Sequence, residues 1–236
     1  MSGALVLFDI DGTLLLSGGA GVRSMTRAFE TIFGVADAFA GMVIAGRTDT
    51  YLLSTAMARA GLPDTAEAHA RFHASYLPIL AGEIREQGNG RYGVMPGVEP
   101  LLGALQERDD VHLALLTGNY EQAAKIKLAH FGLSHFFEWG VFGEESPDRN
   151  VLGLIALARA EARCVPAAAR EKPVVIGDTP DDIACAHAAG ALALAVATGS
   201  YSVEQLRAAG ADIVLPDLSD TEAVLETIRA RRRRAR

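Results

Sequence analysis

Cysteine is scarce in this chain of 236 residues. Cys164 and Cys185 are the two present, too few and wrongly spaced for a disulfide framework or a zinc site. A reducing cytoplasm is the expected setting, with both thiols expected in packed positions. Long apolar runs are lacking too. None approaches the roughly 18 to 20 residues a helix needs to cross a bilayer, and no basic stretch precedes the apolar run near the N-terminus. The expectation is a soluble, unprocessed protein with no membrane partner.

Basic residues are sparse outside the end of the chain. Six arginines fall between Arg229 and Arg236, so residues 1–228 carry 16 basic against 29 acidic groups, a balance of −13 where the whole chain has −7. Such a body repels nucleic acid. The arginine run itself reads as solvated and disordered, with an anionic partner as the lesser alternative. Repeats and low-complexity linkers are missing, and so is a Walker glycine–lysine loop. Gly19–Ser24 falls short of the dinucleotide fingerprint, because Ser24 stands where the third glycine belongs. His69 and His73 are four apart, but Ala70, Arg71 and Phe72 between them lack the glutamate of a zinc-protease motif.

What is present is a core-forming composition, half apolar, with short continuous apolar runs at Ala4–Ile10, Val111–Thr117, Val174–Gly177 and Ala191–Ala197. Continuous rather than alternating runs suit strands covered on both faces. Helical patterns lie between them, at Val98–Arg108, Glu121–Phe131, Val151–Arg163 and Asp181–Ala189. This alternation predicts an α/β fold, an open Rossmann-like parallel sheet.

Residues 17–90 interrupt the alternation with three helical patterns, Val22–Phe33, Thr50–Ala60 and Glu67–Arg85, the last kinked or divided at Pro78. They read as an inserted helical cap on a core made of residues 1–16 and 91–236. Ser17–Gly21 and Gly88–Gly90, including Asn89, are the expected flexible connections.

Ligands of open parallel sheets gather beyond the carboxyl ends of the strands. The first strand ends in Asp9, Ile10, Asp11, Gly12 and Thr13. Side chains two apart on an extended segment point the same way. Two carboxylates so placed call for a shared proton or a hard divalent cation. A plain strand end with a turn at Gly12 is the simpler alternative. A calcium loop fails on spacing, since Ala20 stands where its bidentate glutamate would fall. The second strand ends in Thr117, Gly118 and Asn119, a turn whose open N–H groups could hold a phosphate. The third ends in Gly177, Asp178, Thr179, Pro180, Asp181 and Asp182.

In this order the three segments resemble the first, second and fourth signature motifs of the haloacid dehalogenase superfamily, and the resemblance spans essentially the whole chain. The helical insertion, with Ala197–Tyr201 and Ala209–Val214 near the end, resembles phosphoglycolate phosphatase-like members with a small cap. The resemblance implies a cytoplasmic phosphatase, monomeric or homodimeric, acting on a small phosphorylated molecule. Asp9 would be the nucleophile, forming an aspartyl-phosphate. Asp11 would be the acid and then the base, a task needing a carboxyl protonated at the right moment. Magnesium would be held by Asp9, the Asp11 carbonyl and Asp178, with Asp182 behind them or acting through water, and Asp181 facing solvent. Thr117 and Gly118, with Asn119, would bind phosphate.

The third motif, ordinarily a Lys-Pro pair, is missing. Arg149 stands in its place, and an arginine can contact phosphate through two nitrogens. Lys127 is the rival, eight residues beyond Asn119 and expected to lie too far down its helix. Gly46–Asp49 resembles the loop that small-capped enzymes press on the substrate, making Arg47 the candidate for a distal anion; an exposed loop leading into a helix is the equal alternative. A phosphomutase would use the same intermediate. Dehalogenation fits poorly with Asp11, and a non-catalytic binding role is the remaining alternative.

Overall fold

The computed structural model describes residues 3–88 and 90–233. Strand β1 (Ala4–Phe8) is buried along its length. Its side chains divide between two apolar clusters, Ala4, Val6 and Phe8 into one, Leu5 and Leu7 into the other. Alternate residues of a strand face opposite ways, so a strand covered on both sides must be apolar throughout. That is the physical origin of the continuous run.

The chain continues through β2 (Leu15–Ser17), α1 (Ala20–Phe33), α2 (Asp49–Arg59), α3 (Ala66–Glu83), β3 (Tyr92–Val94), α4 (Val98–Gln106) and β4 (Val111–Leu116). Then come α5 (Glu121–His130), β5 (Gly140–Val141), α6 (Arg149–Ala162), α7 (Ala167–Arg170) and β6 (Val174–Gly177). It ends with α8 (Pro180–Ala188), β7 (Leu192–Val196), α9 (Val203–Ala208), β8 (Ile213–Leu215) and α10 (Thr221–Arg233). The parallel sheet has the order β5-β4-β1-β6-β7-β8. The α4, α5 and α10 side chains cover one face, and α6, α7, α8 and α9 the other. The chain builds outward from β1 through β4 to β5, then crosses to β6 on the other side. The strand order therefore reverses at β1, and a crevice opens where β4, β1 and β6 end side by side.

Helices α1, α2 and α3 share a third apolar cluster, centred on Phe29, Leu53, Phe72 and Tyr76, which Tyr120 and Ala123 of the core also enter. Each such side chain fully buried is worth roughly 1.5–3 kcal/mol. The two connections to these helices are tied together rather than loose. β2 pairs antiparallel with β3, Gly18 donates to the Arg91 carbonyl at 3.0 Å, and Ala20 and Gly21 already belong to α1. Asn89 lies outside the described residues.

Three expectations are corrected. Helix α3 is not divided at Pro78 but runs through it from Ala66 to Glu83: the proline removes one donor, but Tyr76 and Leu80 on either side are anchored in the helical cluster. Arg229–Arg233 are helical, not disordered, because Val224, Leu225 and Ile228 earlier in α10 are buried against the sheet side. Arg231 donates to the Gly190 carbonyl at 2.9 Å; residues 234–236 lie outside the described residues. Cys185 is buried but Cys164 is exposed, at a positive φ of 60°, so it is not part of the packed interior. Among the described residues no helix is long and apolar enough to cross a membrane.

Candidate active site

A cavity of about 250 Å³ opens above the ends of β1, β4 and β6, with Asp9, Asp11, Asn119, Lys127, Arg149 and Asp178 on its polar floor. Asp9 continues β1, its N–H donating to the Ile176 carbonyl at 3.0 Å, and only 4% of it is exposed. Gly12 then turns the chain at φ +83°, and a Cβ there would sit 2.4 Å from Asp178 Oδ2. A Cβ on Gly199 would also strike that oxygen. Asp178 is thus lodged between two glycines, and the need for glycine is steric at both.

The β4 end carries a polar network. Asn119 Nδ2 donates to Thr117 Oγ1 at 2.8 Å and to Asp11 Oδ2 at 2.8 Å. Lys127 Nζ donates to Asn119 Oδ1 and to Asp11 Oδ2, both at 2.6 Å. The expectation that Lys127 lies too far away is corrected. Side chains on a helix lean toward its N-terminus, so a long lysine two turns into α5 reaches back to the helix start. Lys127 is buried while its partner Asp11 is 39% accessible at the side chain.

Arg149 is the first residue of α6, behind Asp148, which accepts from the Asn150 N–H. Its Nη2 lies 2.8 Å from Asp9 Oδ1 and 2.5 Å from Asp182 Oδ1, and its Nη1 donates to the Gly46 carbonyl at 2.9 Å. Both cations therefore enter the site, Arg149 on the Asp9 side and Lys127 on the Asp11 side. Burial works against the Arg149 charge, but the carboxylates of Asp182 and Asp9 outweigh it and hold the guanidinium protonated.

Asp9, Asp178 and Asp182 each offer a carboxylate oxygen within 4.8 Å of the others. Hard divalent cations prefer such all-oxygen sets. Asp182, however, already uses both oxygens: Oδ1 meets Arg149, and Oδ2 accepts from the Thr179 N–H at 3.0 Å and the Thr179 hydroxyl at 2.6 Å. This capping box, with Pro180 at the first turn, starts α8. Asp178 meets no cation within hydrogen-bond reach among the described residues, its one side-chain partner being Thr13 Oγ1 at 3.5 Å. Burial, and then Asp182 and Asp9, push its carboxyl well above the ordinary range. Burial likewise pushes Asp9 up to about 6, with Arg149 pulling down and Asp182 and Asp11 adding to the rise. These buried, under-compensated carboxylates fit a divalent metal.

The Gly46–Asp49 loop leads into α2, as one reading of it holds, and is exposed at Arg47 but not beyond it. Thr48 and Asp49 are buried. Thr48 caps α2 by accepting from the Tyr51 N–H and donates to the Pro147 carbonyl at 3.1 Å. The Asp49 N–H donates to the Gly118 carbonyl at 2.7 Å, and Asp49 Oδ2 accepts from the Tyr120 N–H at 2.9 Å. A Cβ on Gly118 would fall 2.2 Å from the Arg47 carbonyl oxygen, so the loop rests directly on the β4 turn. Arg47 points to Asp181, Nε to Oδ2 at 3.3 Å, and lies 5.4 Å over the Tyr51 ring. Asp181, expected to face solvent, is 30% accessible and part of that pair. Sequence reasoning placed Asp49 within the Gly46–Asp49 loop and Gly199 within Ala197–Tyr201 but gave neither a role of its own in the site, since partners distant in the chain bury one and require the other.

Burial pushes Asp49 up to about 6, with Lys127 pulling it down. The folded chain thus holds this proton more tightly than the unfolded one. The associated stability is fully present below the unfolded value of about 3.9 and is lost as pH rises through about 6. Asp49→Asn removes that dependence. Between about pH 4 and pH 7 the variant should therefore gain on the order of 3 kcal/mol relative to the native chain. Paired urea titrations of metal-free protein read this difference; a difference that stays flat with pH would refute it.

The family model for haloacid dehalogenase-like hydrolases matches residues 6–187. A phosphoglycolate phosphatase of Rhodospirillum rubrum is 30% identical, with 91% of this chain and 87% of that protein aligned. The plasmid phosphoglycolate phosphatase of Cupriavidus necator is 29% identical, over 95% and 94% respectively. Among solved structures, the β-phosphoglucomutase of Clostridium difficile superposes with a TM-score of 0.70 at 17% identity, covering 98% of each chain, a likeness of fold. The matched span contains β1 from Val6 onward, β4, β6 and every residue lining the cavity between them except Gly199, and the chain belongs to the haloacid dehalogenase-like hydrolase family.

Proposed function

We propose that this chain is a magnesium-dependent phosphatase that hydrolyses a small phosphomonoester through phosphoryl-Asp9, with phosphoglycolate, named for two relatives, the first compound to test. The observation that carries the reading is the pairing at the end of β1. Asp9 is buried and held through one oxygen by Arg149, and Asp11, two residues on, is held by Lys127 and Asn119 at the same cavity.

Asp9 attacks phosphorus and the ester oxygen departs, which divides one displacement into two easier ones. Asp11 gives its proton to the departing alcohol and later takes one from the attacking water. Lys127 and Asn119 fix the Asp11 carboxyl for both tasks, and the Thr117–Asn119 turn receives the phosphoryl oxygens. Arg149 and Lys127 offset negative charge on either side of the reacting group. Asp9, Asp178 and the Asp11 carbonyl would hold magnesium, with Asp182 behind them keeping Arg149 in place; the ion supplies charge neutralisation at phosphate. Residues 17–90 act as the cap, closing the cavity against water.

The test is phosphate release from a panel of small phosphomonoesters with magnesium and with a chelator. Release that requires the metal is expected. Isomerisation of a sugar phosphate without net release would indicate a mutase instead, and release unaffected by the chelator would sink the metal requirement.

A further inference from the structure

The cavity has two unlike walls. Below are the charged groups of the strand ends; above, from the helical side, Val22, Met25, Ile44, Leu52 and Tyr76 form an apolar roof. Among the described residues that line the cavity from that side, Asp49 is the one acid and Arg47 the one base. Arg47 is engaged by Asp181 and the Tyr51 ring. Asp49 is only 7% exposed. Its Oδ2 is taken by the Tyr120 N–H, whereas Oδ1 meets no hydrogen-bond donor among the described residues. Asp49 lines the cavity, and a carboxylate oxygen there that no protein group pairs is open to a donor on the ligand.

We propose that Asp49 Oδ1 is the recognition point for a hydrogen-bond donor, a hydroxyl or an ammonium, on the organic half of the substrate, and that the site disfavours a carboxylate at that position. The inference rests on reading this cavity as the phosphatase site. It deepens that reading by naming the substrate class: small hydroxy- or amino-alkyl phosphates ahead of phosphoglycolate. A site built to pair a polar group discriminates strongly against an analogue that lacks it, and a second anion beside a buried carboxylate is repelled.

The test is kcat/KM with magnesium for four two-carbon esters, 2-hydroxyethyl phosphate, O-phosphoethanolamine, ethyl phosphate and phosphoglycolate, with acetyl phosphate as the activated control. A charge-assisted hydrogen bond should favour the hydroxyl or ammonium compound over ethyl phosphate by about 10- to 100-fold, with phosphoglycolate slowest. In Asp49→Asn the amide oxygen can keep the Tyr120 N–H and turn its NH2 to the cavity. That exchange should raise phosphoglycolate about tenfold or more relative to 2-hydroxyethyl phosphate. Ratios between substrates on one preparation are independent of the folded fraction, so a poorly folding variant still reports. Native protein that prefers phosphoglycolate, ratios unchanged in Asp49→Asn, or turnover of acetyl phosphate alone would overturn the role of Asp49 and leave the phosphatase standing. Inertness toward all five compounds would overturn both.

Discussion

Asp9→Asn should lower phosphate release by at least about 10⁴-fold, because loss of a nucleophile removes the covalent route and leaves only what binding and electrostatics supply. An amide matches the carboxylate in size but cannot attack phosphorus. The variant should nonetheless fold. Arg149 keeps its contact with Asp182 at 2.5 Å, and the substitution removes one of the buried carboxyls whose ionisation burial opposes. Two further readouts separate a lost nucleophile from a damaged fold. The melting temperature without metal should not fall, and the stabilisation by added magnesium should shrink, since Asp9 is a proposed ligand. Native-like turnover in the variant, measured on the best ester of the panel, would remove Asp9 from the centre of the mechanism.

The parts of this molecule that were legible in its sequence are those where local chemistry and global position coincide. The run Leu5–Phe8 reads as a doubly covered strand because its neighbours above and below are both apolar. Val174–Gly177 begins and ends where its pattern says. By contrast, β5 is two residues long, too short for any periodicity, and its place at the sheet edge depends on pairing with β4. The α10 helix was hidden behind its arginines, since charge density argues for disorder only where no buried face opposes it.

The site divides the same way. Carboxylates at strand ends are visible as Asp9, Asp11 and Asp178, because a strand end is a local feature. The reach of Lys127 is a property of helix geometry that linear distance conceals: eight residues separate it from Asn119, yet the two side chains meet at 2.6 Å. Asp49 is the extreme case. Its burial is created by Gly118 and Tyr120, some seventy residues away, and no property of Thr48–Thr50 alone announces it.

Arg149→Met should cost about 3–5 kcal/mol of stability in the absence of metal, the usual penalty for removing one partner of a buried ion pair. The guanidinium is the only cation within salt-bridge distance of Asp9 and Asp182 among the described residues, and methionine leaves those carboxylates and Asp178 facing one another. For a chain of this size that corresponds to a fall of roughly 6–20 °C in melting temperature. Magnesium should restore part of the loss, because a divalent cation compensates the same oxygens, and Arg149→Lys should restore part without metal. Lys127→Met gives the contrast. Its partner Asp11 is 39% accessible at the side chain, so water can take over the solvation of that carboxyl and the stability cost should be smaller. Its turnover should still fall, because Asp11 and Asn119 lose the group that fixes them. Metal-free Arg149→Met as stable as the native chain would show that the three carboxyls are neutralised by protons rather than by the arginine. Full turnover in Lys127→Met would make that lysine a structural strut of the β4 turn, leaving Arg149 as the one cation serving the reaction.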